Sequence, residues 1–155
     1  MEIERKFLID SVPESLEGYT KKKIEQAYLS TEPVIRVRQM DDKYFLTYKS
    51  KGMMARVEEE FPLTKEAYEH LKAKADGRVI TKNRYCIPYE QWTIELDCFL
   101  GELEGMMLAE VEFASVEEAK EFVMPSWFKK DVTFEKEYHN SYLSQAQVLP
   151  NWREE

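Results

Sequence analysis

The 155-residue sequence predicts an α+β fold, an antiparallel sheet or barrel of eight strands with helices packed outside. Three observations carry that expectation. Alternation of period two dominates the chain, as half-buried strands require. Eight alternating stretches follow one another with short connections, which favours an antiparallel sheet or barrel. Helix signals are confined to three places between and after the strands.

In chain order, the strands are expected near 2–9, 24–32, 34–40, 43–50, 56–62, 78–87, 91–99 and 106–114. Glu32-Pro33 marks one break and Asp41-Asp42 a tight turn. Thr64 is placed to cap a helix over 65–75, ending at Asp76-Gly77. Ser115 is placed to cap 116–123, with Glu118 at the capping-box position. A third helix is expected over 138–148. Residues 1–148 form one expected domain, and 149–155 are expected to be a frayed tail. The Lys21-Lys22-Lys23 run reads as a solvated loop.

The bulk composition narrows the function. Hydrophobic residues make up 43% and aromatics 13%, enough for a core and against disorder. The formal net charge of −8 argues against general binding of nucleic acid or anionic membrane. Any anionic ligand must then meet locally concentrated Lys and Arg. Cys86 and Cys98 are the only cysteines, lack metal-ligand spacing, and are expected to pack in the wall. With no signal peptide and no apolar run near 18 residues, the expectation is a cytoplasmic protein; oligomeric state is left open. Glycine numbers only 5, and neither dinucleotide nor Walker-type loops occur, so phosphate would have to be bound by side chains. His70 and His139 belong to no nucleophilic triad in the sequence.

The informative pattern is the charge on one face of each strand, since side chains two apart share a face. Glu2, Glu4 and Lys6 oppose Ile3, Phe7 and Ile9. Arg36 and Arg38 oppose Ile35 and Val37. Thr47 and Lys49 oppose Leu46 and Tyr48, while Arg56, Glu58 and Glu60 oppose Val57 and Phe61. Arg78, Lys82 and Arg84 oppose Val79 and Tyr85. Glu95 and Asp97 oppose Ile94 and Leu96, and Glu110 and Glu112 oppose Ala109, Val111 and Phe113. The charges come as doublets of one sign, which repel unless a ligand or ion neutralises them. The basic set (Lys6, Arg36, Arg38, Lys49, Lys82, Arg84) suits a polyanion of phosphate geometry. The acidic set (Glu2, Glu4, Glu60, Asp97, Glu110, Glu112) suits a hard divalent cation such as Mg²⁺ or Mn²⁺. Together they describe metal-assisted phosphoryl transfer. Enclosure strengthens such a site: a charge pair at about 4 Å gives roughly 1 kcal/mol in water but about 4 at an effective dielectric of 20.

Glu2-Ile3-Glu4-Arg5-Lys6 resembles the ExExK signature of the CYTH superfamily, the triphosphate tunnel metalloenzymes. Gln26-Ala27-Tyr28-Leu29, Arg36-Val37-Arg38, Thr47-Tyr48-Lys49-Ser50, Lys82-Asn83-Arg84-Tyr85, Glu95-Leu96-Asp97 and Ala109-Glu110-Val111-Glu112-Phe113 follow in the family's order. The segment 132–140 is similar to its C-terminal element. The resemblance implies an eight-stranded antiparallel β-barrel forming a tunnel, with helices packed outside, and metal positions at Glu2, Glu4, Glu110 and Glu112, with Glu60 and Asp97 as further candidates. It implies triphosphate positions at Lys6, Arg36, Arg38, Lys49, Lys82 and Arg84, with Lys136 as an added contact. It also implies that Tyr28, with Lys6, orients or deprotonates the attacking water.

Among family members the compact chain looks most like bacterial inorganic triphosphatases, so the expected substrate is inorganic triphosphate, or else a nucleoside triphosphate. The alternatives are a class IV adenylyl cyclase, for which no adenine pocket is legible, and a non-catalytic polyphosphate- or nucleotide-binding module. Thiamine triphosphatase is disfavoured because no aromatic clamp is legible; Trp92, Trp127 and Trp152 read as core, outer packing and tail.

Overall fold

The computed structural model describes residues 1–154. The described residues include ten strands and three α-helices. In order they are β1 (Glu2–Ile9), β2 (Thr20–Thr31), β3 (Val34–Met40), β4 (Lys43–Lys49), β5 (Ala55–Arg56), β6 (Glu58–Leu63), α1 (Lys65–Lys72), β7 (Asp76–Tyr89), β8 (Trp92–Phe99), β9 (Met107–Glu112), α2 (Val116–Glu121), β10 (Phe128–Asp131) and α3 (Asn140–Gln145). The ladder runs β10-β1-β9-β8-β7-β2-β3-β4-β6, all antiparallel. The two-residue β5 then pairs back onto β1, Glu2 opposite Arg56 and Ile3 opposite Ala55. One run broken at Val57 therefore serves both open edges and nearly closes the barrel. Taken together, β5 and β6 are the fifth of the eight staves expected; β10 is an additional strand.

Hydrophobic burial fixes which face points in. Outward side chains of β1, β8 and β9 (Ile3, Phe7, Ile94, Val111) form one core with Phe113, Ala119 and Phe122, beneath α2. A smaller core joins Ala27 and Val37 to Tyr68 of α1, whose first turn is capped by the Thr64 hydroxyl accepting from the Ala67 N–H at 3.1 Å. With their apolar sides thus covered, the alternation turns the charged sides inward. Toward one end the inner face itself becomes apolar. Leu8, Leu108, Ile80 and Phe99 meet Leu103, Met106, Val132, Tyr138 and Leu143 in a third cluster.

Several local expectations are corrected. β2 begins at Thr20, so the Lys21–Lys23 run lies in a strand paired with Tyr85, Arg84 and Asn83. α1 stops at Lys72 because Asp76-Gly77 starts β7 rather than ending the helix. Gly77 has φ +71°, and a Cβ there would overlap the Ser144 carbonyl, so glycine lets α3 seat against β7. α2 ends at Glu121, since Phe122 turns extended to bury its ring. Glu118 accepts from the Trp92 indole instead of completing a capping box. α3 spans only Asn140–Gln145, and β10 was not anticipated. In the tail, Trp152–Glu154 form a 3₁₀ turn with Trp152 packed on the third cluster; Glu155 lies outside the described residues. Val57 and Phe61, placed on an apolar face, remain exposed because no helix covers them.

Candidate active site

The inner faces enclose a cavity of about 180 Å³. All the residues expected in the site line it except Asp97 and Lys136: Glu2, Glu4 and Lys6 from β1, Tyr28 from β2, Arg36 and Arg38 from β3, Lys49 from β4, Glu60 from β6, Lys82 and Arg84 from β7, and Glu110 and Glu112 from β9. Acid thus comes chiefly from β1 and β9, and base from β3, β4 and β7. Cross-strand register explains the juxtaposition, with Glu4 opposite Glu112, Lys6 opposite Glu110, and Glu110 opposite Glu95.

Most of these charges are paired between strands of the wall. Lys49 Nζ lies 3.0 Å from Glu2 Oε1 and 3.4 Å from Glu58 Oε2. Lys6 Nζ lies 3.4 Å from Glu110 Oε1 and 3.4 Å from the Tyr138 carbonyl. Arg84 Nη2 reaches Glu110 Oε2 at 3.5 Å, and Nη1 reaches Glu95 at 3.2 Å. Arg38 meets Glu60 at 3.4 Å, and Arg36 donates to the Thr47 hydroxyl at 3.1 Å, which donates in turn to Glu60 at 3.2 Å. The Nε–H groups of Arg36 and Arg38 are buried without a hydrogen-bond partner. Buried guanidinium donors of this kind are costly unless an acceptor meets them, and phosphate oxygens have the matching geometry.

Asp97 does not line the cavity. It is fully buried and both oxygens are engaged: Arg84 donates to Oδ1 at 2.8 Å and to Oδ2 at 3.0 Å, and Lys82 lies 2.8 Å from Oδ2. The sequence places it among the further metal candidates; in the structure it binds two cations that do line the cavity. Lys136 lies in an adjoining, larger and less polar chamber with Pro33, Met53 and Tyr142, not in the bore. Arg78, expected on the charged face, binds Glu102 at 2.8 Å and the Leu143 carbonyl beside α3.

The electrostatics separate the carboxylates. Burial opposes ionisation of Glu110, but Lys6, Arg84 and Lys82 outweigh it and hold its pKa well below the ordinary range. Glu2 is likewise held down, by Lys49 against burial. Glu4 is pushed up to about 8, first by burial and then by Glu110. Glu112 is raised by burial, then by Glu2 and Glu58. Lys82 falls to about 8 because burial outweighs Asp97, and Arg38 falls to about 10 through burial and then Arg36. Among the described residues no three acidic, His or Cys side chains converge as a ready-made cation cage. The oxygen donors nevertheless fit a hard divalent ion, because a cation beside Glu4 and Glu112 would offset the burial, and then the repulsion, that raise both.

Sequence reasoning missed Glu58, Glu95 and Arg56 as lining residues, although the alternation already put them on charged faces. His139, Asn140 and Ser141 also line the bore; the first two lie in the segment similar to the family's C-terminal element, but no periodic pattern aimed them inward. Asn140 accepts from Lys82 at 3.4 Å, and the His139 ring contacts the Thr133 carbonyl at 2.8 Å.

A nearly closed antiparallel barrel whose bore carries both signs of charge defines a tunnel fold with a built site for ligands of both charges. The chain belongs to the CYTH domain family, which matches residues 1–147 and is a family of metalloenzymes. It is 38% identical over 148 residues to an inorganic triphosphatase of Nitrosomonas europaea, covering 92% of this chain and 96% of that one. It is 35% identical over 148 residues to an inorganic triphosphatase of Acetivibrio thermocellus, covering 92% of each. Among solved structures, an inorganic triphosphatase at 34% identity superposes with a TM-score of 0.70 over 97% of each chain. No helix among the described residues is long and apolar enough to cross a membrane.

Proposed function

We propose that this protein hydrolyses the terminal phosphoanhydride bond of inorganic triphosphate within the bore, with Mg²⁺ or Mn²⁺. The observation that carries the reading is the meeting of opposed charges in one small cavity: Arg36, Arg38, Lys82 and Arg84 on one side, Glu2, Glu4, Glu110 and Glu112 on the other. A cavity of about 180 Å³ is below the roughly 300–1,000 Å³ of sites for drug-sized ligands, which favours a phosphate chain over a whole nucleotide in the bore.

In this reading the guanidiniums and Lys82 hold the phosphate oxygens, with Lys49 and Lys6 as point charges. Lys6, fixed between Glu110 and the Tyr138 carbonyl, and Tyr28 orient the attacking water in line with the terminal phosphorus. Glu2, Glu4, Glu110 and Glu112, with Glu60, would hold the cation. When bound, it neutralises phosphate charge as a Lewis acid. Asp97 keeps Lys82 and Arg84 aimed, outside the metal set.

One assay tests this. Purified protein is given inorganic triphosphate, ATP or thiamine triphosphate with Mg²⁺ or Mn²⁺, and free phosphate and cyclic AMP are measured. Phosphate from inorganic triphosphate without cyclic product is expected; cyclic AMP from ATP would select the cyclase. Glu110→Gln should lower phosphate release by about 100-fold or more, the scale for losing a group at the charge-bearing centre. Unaltered triphosphate binding with no turnover in the wild type would select a binding module.

A further inference from the structure

We propose that Gln26 is the positioning residue for Tyr28: its amide fixes the phenol so that the hydroxyl hydrogen points into the bore. The inference rests on the reading of Tyr28 as a group that orients the attacking water.

Gln26 is fully buried and does not line the cavity, whereas Tyr28, two residues on along the same inner face, does. Gln26 Nε2 donates to Tyr28 Oη at 2.9 Å. With that lone pair taken by a donor, the phenol's own hydrogen is left to donate elsewhere, and the open side of Tyr28 is the bore. Gln26 Oε1 is buried without a partner. An orphan amide oxygen is destabilising, and Leu or Met would fill the position without it. The side-chain hydrogen bond that the amide makes in the structure is to the phenol, so its polar group serves Tyr28 and not the packing of the wall.

The backbone supplies a second observation. The β2 ladder slips at Tyr28 on both sides, between Gln26 and Tyr28 against β7 and between Tyr28 and Ser30 against β3. Such irregularities re-aim a side chain relative to the regular pleat. Tyr28 is consequently not oriented by ladder geometry alone, and the hydrogen bond from Gln26 is what ties its hydroxyl to a regular part of the strand. Across the sheet Gln26 sits opposite Arg38 and Tyr28 opposite Arg36, so the phenol is held beside the two guanidiniums that present unpaired Nε–H groups.

The test is a double-mutant cycle on the full chain with inorganic triphosphate and Mg²⁺. Gln26→Leu should lower kcat by about 3- to 10-fold, the scale of one such hydrogen bond, with KM within about twofold. Its melting temperature should not fall, and Gln26→Met serves if the Leu variant does not fold. In a Tyr28→Phe background the same substitution should change kcat by less than about 1.5-fold, because there is no hydroxyl left to aim. Equal losses in both backgrounds, or a loss confined to KM, would overturn the positioning role. Full kcat in Tyr28→Phe alone would instead overturn the reading of Tyr28, and Gln26 with it.

Discussion

The inner face of the barrel has two halves. Four strands pass from charge to hydrocarbon in a single two-residue step: Lys6 to Leu8, Glu110 to Leu108, Asp97 to Phe99, and Lys82 to Ile80. The apolar half, closed by Leu143 and Tyr138, stabilises the fold through packing. The charged half pays for burial and recovers part of that cost only through pairs between strands. The contrast teaches that one alternation pattern can specify both a scaffold and a binding site, depending on which inward residues the sequence supplies.

Substitutions can break this comparison or sharpen it. The largest expected effect is in the charged half. Asp97→Asn removes the carboxylate shared by Arg84 and Lys82 and should cost about 3–5 kcal/mol in denaturant unfolding, as for other buried pairs deprived of one partner. A loss below about 1 kcal/mol would show that these two cations do not depend on it. In the apolar half, Leu108→Ala should cost about 3 kcal/mol yet leave kcat within about twofold at temperatures where the variant is folded. A large fall in kcat at full folding would show that the two halves are not separable.

His139 stands at the boundary, and its effect depends on pH. Burial first and Lys6 second lower its pKa from 6.5 to about 4. Below pH 6.5 the unfolded chain takes up a proton that the folded protein refuses until about pH 4. Stability is therefore undiminished above pH 6.5 and falls as pH drops through that window. Between pH 7 and pH 5 the loss should be about 2 kcal/mol. Melts of wild type and His139→Gln across that range should converge as pH falls; parallel curves would refute the assignment. The smallest effect is outside the barrel. Arg5 donates to the Ala119 carbonyl at 2.9 Å, the Phe122 carbonyl at 2.8 Å and Asp131 at 2.7 Å. Arg5→Met should cost about 1 kcal/mol with turnover unchanged, although Arg5 lies between Glu4 and Lys6. A fall in kcat would place it in the site.

The barrel and most of its lining were legible because period two leaves no choice once one face must be buried. Glu4 and Glu112, far apart in sequence, could be assigned to one cavity from alternation alone. What alternation cannot reveal is which inward groups will neutralise each other. Asp97 and Glu110 read alike as carboxylates on inner faces, yet Asp97 lies off the cavity lining with Arg84 and Lys82 at 2.8 to 3.0 Å, whereas Glu110 lines the cavity with Lys6 and Arg84 at 3.4 and 3.5 Å. His139 and Asn140 enter the bore from a segment with no periodic pattern. β10 was hidden because Lys129, Lys130 and Asp131 give a short strand no apolar signature.

The neighbours of β1 carry one more consequence. Residues 2–9 pair mainly with residues 107–112 and then with residues 128–131. During synthesis, Glu2 and Glu4 must wait for strands about a hundred residues later before they have a wall to join. Products truncated before residue 107 would carry Glu2 and Glu4 without the opposing Glu110 and Glu112, and so without a bore to close around them.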